Sequence, residues 1–520
     1  YFAFISCVEV HTTSGTVKGL TVRALNTSIN QFLNIPYAEP PIGNLRFGRP
    51  LPFKAAVNAT IDGTKPGNSC YQTPNNPYLK QSEDCLVLNI WTPNTVQNTS
   101  EPKAVMLWLY GGGLNGGTIF GAYNGSYLAS HDVVIVTVNY RLGKYGFLYG
   151  GDETAPGNVG LWDQVQALKW VRENIGAFGG DKSKITVFGE SAGSRSISAL
   201  IVSPVATGLF QRVIMESGAN LHFNGRQQHT ISESLAESTH IAKTLNCSTS
   251  AGNADHWLDC LRKVPAKEFQ RFTSQFTFPL EGTEFLPLSI QQAFNQSKYN
   301  QDLDILAGVN RNEGSLLAYG GFGELHHNIT DQVFDQLVGR ANESYHGLDL
   351  QSVRKQFLKD NDLTNHTSDE LRQAFYAFFG DLHVKCGGYL MAKEYAKHQD
   401  KNKHHVYMYE LTYQSKWAKN MGCDEKTMGI CHGSDLEFVW GNAIWMDPKS
   451  HTPLDIEFSK YVMKLWTNFA KTGKADEEWP QLVDNNVIHI KDLNPLNTTK
   501  VLVNPFHSDC DTFWTNYYKF

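Results

Sequence analysis

Ser191 sits in FGESAG (188–193), between Gly189 and Gly193, after the apolar run 185–188 and before a helix-like stretch beginning at Ala192. A serine on a strand-to-helix turn is held at unusual backbone angles with its hydroxyl presented for attack on an acyl carbon. Glycines on both sides leave room that side chains would fill. The helix start adds partial positive charge, which favours a developing oxyanion. The short G-x-S-x-G pattern is weakly specific, and an ordinary loop serine would also satisfy it. The strand before it and the helix after it favour the nucleophile.

A second glycine cluster agrees. Gly111-Gly112-Gly113 closes the apolar run 104–110. Successive glycines let backbone N–H groups turn towards one point, and with the Ala192 amide they would form an oxyanion hole. A flexible turn is the common alternative for such a triplet. The serine needs a base, and the base needs an acid to orient it, expected in chain order Ser, Asp or Glu, His. With 18 histidines in the chain, residue type alone selects none of them.

The elements that would position these groups are short β-branched runs at 104–110, 133–140, 185–188, 212–215, 304–309, 405–411 and 487–490. Most are nearly continuous apolar runs, as in strands covered on both faces. Helix-like stretches at 160–174 and 192–202 alternate with them. This predicts an α/β fold with a large, mostly parallel central sheet flanked by helices. The more polar segments 220–300 and 320–400 read as helical insertions that cap the ligand-binding edge of the sheet.

The 520 residues carry 41% hydrophobic and 18% charged side chains with a net charge of −6, the balance of a globular chain. No Lys/Arg run points to nucleic acid, and no apolar stretch is long enough to span a membrane. Residues 1–7, YFAFISC, read equally well as the remnant of a signal peptide or as a short strand or disordered end. N-x-S/T sequons occur at Asn26, Asn58, Asn98, Asn124, Asn246, Asn295, Asn328, Asn342, Asn365 and Asn497, and there are 9 cysteines. Both features suit an oxidising, extracellular compartment, so a secreted glycoprotein is expected.

Longer motifs carry a resemblance. EDCLVLNIW (83–91), GGG (111–113), NYRLGKYGFL (139–148), GNVGLWDQVQALKWVRENIGAFGGD (157–181), FGESAG (188–193), GVNRNEG (308–314) and HGSDLEFVWG (432–441) resemble the type-B carboxylesterases and cholinesterases. These are α/β-hydrolases, and the resemblance runs in order over about 10–515. It implies one catalytic domain (8–520) that needs no cofactor or metal. It also implies Ser191 as nucleophile, Glu313 as acid and His432 as base, with Gly112, Gly113 and Ala192 as oxyanion donors. Glu190 matches a site-lining glutamate and Ser217 a serine behind the acid. Arg46 with Glu83, and Arg141 with Asp163, match structural ion pairs. Three disulfides are implied, Cys70–Cys85, Cys247–Cys260 and Cys386–Cys510. Cys423 and Cys431 are left open, either bridged or free, and Cys7 is left over.

The same resemblance bears on the substrate. Asn75 falls where the choline-binding tryptophan of cholinesterases stands. Leu114 and Asn115 replace aromatics after the glycine triplet, and Leu316 and Leu317 replace phenylalanines after the acid. A quaternary ammonium is held by aromatic faces, so an aliphatic pocket predicts a carboxylesterase acting on neutral small-molecule esters. The alternatives are a choline esterase, with aromatics around 375–379 supplying a cation site, and a neuroligin-like adhesion protein. The intact serine, acid, histidine and glycine triplet argue against pure adhesion. Oligomeric state is not fixed by the sequence.

Overall fold

The computed structural model describes residues 7–72, 76–93, 101–247, 254–272, 277–359, 366–400, 402–423, 426–446 and 448–520. The chain divides into two compact units, Tyr1–Arg212 with His229–Ser289, and Val213–Gln228 with Ile290–Phe520. The central sheet is large and mostly parallel at its heart, with helices flanking it, as the apolar runs predict.

In the first unit, strands lie in the order Cys7–Thr12, Gly15–Ala24, Thr27–Pro36, Val87–Pro93, Val134–Val138, Lys103–Leu109 and Gly180–Glu190. The first five pair antiparallel in succession, whereas Lys103–Leu109 runs parallel to both of its neighbours. Lys103–Leu109 reads KAVMLWL and is buried at every position after the lysine. Such a strand has no face for water, which explains its unbroken apolar run. Strand Gly180–Glu190 is longer than the apolar run 185–188 suggests, because its polar start also extends beside Lys103 before the register shifts.

Helices Val159–Asn174 and Ala192–Val202 belong to this unit. Helices Ile231–Thr244 and Ala254–Lys263, from the first expected insertion, are joined by the Cys247–Cys260 disulfide. Ile241, Trp257, Leu258 and Leu261 close a core with Phe47, Tyr145 and Phe269.

The second unit carries most of strand Arg212–Glu216, followed in spatial order by Asp304–Asn310, Val406–Leu411 and Val487–Leu493. The last three are parallel to one another. The expected helical insertion at 320–400 holds Asp331–Tyr345, Leu350–Phe357, Ser368–Gly380 and Cys386–Lys397. Thr367 and Glu370 form a reciprocal capping box that starts Ser368–Gly380.

Candidate active site

The Ser191 turn is built where Gly180–Glu190 turns into Ala192–Val202. Ser191 caps that helix at φ 57° and ψ −117°, a conformation that a side-chain-bearing residue adopts only under constraint. Strand Lys103–Leu109 supplies the constraint. Gly189 pairs with Leu109, and a Cβ on Gly193 would lie 1.9 Å from the Leu109 carbonyl oxygen. No other residue fits at 193. The helix therefore starts hard against the neighbouring strand, and its first bond runs from Arg195 N–H to the Ser191 carbonyl at 2.9 Å.

The glycine triplet lies against the same turn. A Cβ on Gly111 would stand 2.9 Å from the Ser191 Cβ and 2.6 Å from Glu190 Oε2. Gly112 and Gly113 have φ of 111° and 63°, a backbone conformation that favours glycine. The Gly112 carbonyl accepts from Asn115 and Gly116 N–H, which closes the turn. Glu190 is buried beside Ser191. Leu114 is fully buried, and Asn115, also buried, accepts from Thr277 Oγ1 at 2.7 Å.

Glu313 and His432 belong to the second unit. Glu313 follows strand Asp304–Asn310 and is 1% exposed. Its Oε1 accepts from Ser217 Oγ and from the Asn310 N–H, both at 2.6 Å. Its Oε2 lies 2.6 Å from His432 Nδ1. A carboxylate so fully engaged cannot rotate away from the imidazole. It fixes the ring and favours the tautomer with the proton on Nδ1, which puts the ring's lone pair on Nε2.

Three residues around this pair escaped the sequence reading: Asn310, Tyr409 and Asp435. Asn310 Nδ2 donates to Asp435 Oδ1 at 3.2 Å, and Tyr409 Oη donates to Asp435 Oδ2 at 2.6 Å. Burial, then the Asp435 charge, hold the Tyr409 phenol well above its ordinary range, so it stays a donor. Asn310 and Asp435 both lie within motifs that carry the family resemblance, but nothing in their types set them apart.

The two ion pairs are scaffold. Arg46 grips Glu83 at 2.6 and 2.7 Å and also donates to the carbonyls of Leu261 and Val264. Arg141 holds fully buried Asp163 at 2.8 and 2.7 Å. The bridges Cys70–Cys85, Cys247–Cys260 and Cys386–Cys510 form as the resemblance implies, and Cys423 joins Cys431, resolving the open pair. Cys7 is free and exposed.

A model described as the carboxylesterase family matches residues 6–508. The chain belongs to the carboxylesterase family. It is 32% identical to an acetylcholinesterase of Bungarus fasciatus, over 98% of this chain and 86% of the relative. An acetylcholinesterase of Danio rerio is 33% identical over 92% of this chain and 84% of its own length. A cholinesterase of Mus musculus is 33% identical over 89% and 78% respectively. Membership makes the protein a serine esterase, a hydrolase of carboxylic esters.

Leu316 and Leu317 are half-buried on helix Gly314–Gly321, and Leu316 packs on the Cys423–Cys431 bridge. Asn75 lies outside the described residues, as do residues 1–6, Asn98 and Asn365. Phe375 and Phe379 are buried against Phe322, so they offer no open aromatic face. Among the other sequons, Asn26, Asn58, Asn246, Asn295, Asn328 and Asn497 are exposed, whereas Asn124 and Asn342 are half-buried. Among the described residues no helix is long and apolar enough to cross a membrane, and no group of three or more His, Cys, Asp or Glu could hold a metal ion.

Proposed function

We propose that the protein is a secreted carboxylesterase that cleaves neutral esters through an acyl-enzyme, its two compact units working as one catalytic domain. The single observation that carries the mechanism is the constrained Ser191 turn, φ 57° between two glycines that cannot be replaced without a clash. In this reading Ser191 Oγ attacks the ester carbonyl carbon while His432 Nε2 takes its proton. The N–H groups of Gly112, Gly113 and Ala192 receive the oxyanion. His432 then protonates the departing alkoxide, leaving the acyl group on Ser191. Water, deprotonated by the same histidine, releases the acid. Glu313 holds the imidazole throughout and stabilises its charged form without taking the proton.

The substrate class rests on Leu316 and Leu317, aliphatic where an ammonium would want aromatic faces, and on Asn75. Alkyl and aryl groups gain from burial against leucine without directional contacts. A desolvated cation–π contact is worth about 2 kcal/mol, so its absence removes roughly a thirtyfold advantage for choline esters. The second reading, a choline esterase, is favoured by the names of the relatives, and buried Glu190 would supply negative charge for a cation. Secretion is supported by four disulfides and six exposed sequons.

A panel of p-nitrophenyl esters of rising acyl length, set against acetyl- and butyrylthiocholine, separates the two. Neutral short-chain esters should exceed acetylthiocholine in kcat/KM by at least about tenfold. The reverse order would make the protein a cholinesterase.

A further inference from the structure

We infer that Asn312 is a positioning residue for the ester hydrolysis, acting through the Glu313–His432 pair whose roles are proposed above. Asn312 immediately precedes the acid, and Ile430 stands two residues before the base. The Asn312 N–H donates to the Ile430 carbonyl at 2.9 Å, and the Ile430 N–H donates back to Asn312 Oδ1 at 3.0 Å. One side chain and its own amide thus take both polar backbone groups of a single residue on the opposite loop. The pairing continues as a parallel bridge between Asn312 and Cys431, the residue beside the histidine.

The clasp is anchored at both ends. The Asn312 carbonyl accepts from Ser315 N–H at 3.2 Å and from Ser315 Oγ at 2.9 Å, tying it to the start of helix Gly314–Gly321. On the other loop, Gln414 Nε2 donates to the Gly429 carbonyl at 2.9 Å. Gly429 has φ 61°, and a Cβ there would stand 2.4 Å from Asn312 Oδ1. Glycine at 429 is therefore required for the clasp to close. The acceptor must also sit at the γ-branch: alanine lacks it, and glutamine carries it one carbon too far.

This arrangement determines how well the 2.6 Å bond between Glu313 and His432 is held, because the two residues stand on loops from different strands. Displacing a catalytic group by about 1 Å can cost on the order of a hundredfold in rate. Asn312 has no part in the proton transfers themselves. Its loss should appear in kcat and leave KM nearly unchanged.

The test is p-nitrophenyl ester kinetics and thermal melting for Asn312→Ala, Asn312→Asp, Gly429→Ala and the Asn312→Ala/Gly429→Ala double variant. Glu313→Gln and His432→Ala serve as references. Asn312→Ala and Gly429→Ala should each lower kcat about tenfold with KM within about twofold. Asn312→Asp keeps the acceptor oxygen and should stay within about threefold of wild type. The double variant should fall no further than the worse single one, since both remove the same contact. A kcat within about twofold of wild type for Asn312→Ala, or losses that multiply in the double variant, would overturn the clasp. Should Asn312→Ala not fold, Gly429→Ala decides alone, and an unchanged kcat there overturns it. Active Glu313→Gln and His432→Ala enzymes would refute the triad itself. If those two are inactive beside an unimpaired Asn312→Ala, only the clasp falls.

Discussion

Glu313 Oε2 lies 2.6 Å from His432 Nδ1, and the other carboxylate oxygen is already taken by Ser217 and Asn310. Glu313 is thus locked in place by three partners. Glu313→Gln keeps the shape but presents an amide, so the imidazole loses both its anionic partner and its preferred tautomer. The expected fall in kcat is on the order of 10⁴, against on the order of 10⁶ for His432→Ala. Equal losses for the two variants would mean that Glu313 does more than orient.

Gly193 tests the turn itself. Its missing Cβ would stand 1.9 Å from the Leu109 oxygen, which belongs to a buried strand and cannot yield. Gly193→Ala should destabilise the protein by about 1–3 kcal/mol, the usual cost of overpacking, and lower kcat through a displaced Ser191. Denaturant melts and kinetics on the same preparation check both. A variant with unchanged stability would show that helix Ala192–Val202 is free to shift.

The buried pair Arg141–Asp163 gives a prediction in pH. Burial pushes the Asp163 carboxyl up, and Arg141 pulls it back. Arg141→Met leaves burial opposed only by the backbone N–H at position 141, which still donates to Asp163 Oδ2, on a residue with no exposed surface. Removing one partner of a buried pair costs about 3–5 kcal/mol near neutrality. With its pKa raised in the folded state, the carboxyl keeps a proton that the unfolded chain releases above about pH 4. The deficit should therefore be smallest near pH 4 and widen as pH rises. A deficit that stays constant with pH would show that Asp163 finds another cation.

The central parallel strands are legible in the sequence because each is covered on both faces and so reads as an unbroken apolar run. The antiparallel edge, Cys7–Thr12 and Gly15–Ala24, is not. Cys7–Thr12 alternates between exposed and half-buried positions, Gly15–Ala24 mixes exposed, half-buried and buried ones, and polar Glu9, His11 and Lys18 hide both among loop-like residues. Ser191 is legible from residue type, glycine spacing and the flanking elements. Glu313 and His432 are not, since any of 18 histidines could serve, and only the longer motifs single them out. Asn312 is hidden for a different reason. Its partner is the backbone of Ile430, which no residue type announces.

Cysteine connectivity is open to direct mapping. Non-reducing peptide analysis should yield Cys70–Cys85, Cys247–Cys260, Cys386–Cys510 and Cys423–Cys431 as linked pairs, with Cys7 free. The third bridge spans 124 residues and the fourth only 8. Chain entropy makes these worth about 5 and about 2.5 kcal/mol, so the Cys386→Ser/Cys510→Ser variant should be the less stable of the two double replacements. The opposite order of melting would place the larger stabilisation in the histidine loop.

The central claim is that Ser191 is the nucleophile. Treating the protein with diisopropyl fluorophosphate and locating the adduct by mass spectrometry of the peptides tests it most directly. The account predicts one diisopropylphosphoryl group on Ser191, with label and esterase activity changing in step, and no label on the Ser191→Ala variant. A stoichiometric adduct on another residue, or full esterase activity in Ser191→Ala, would contradict it.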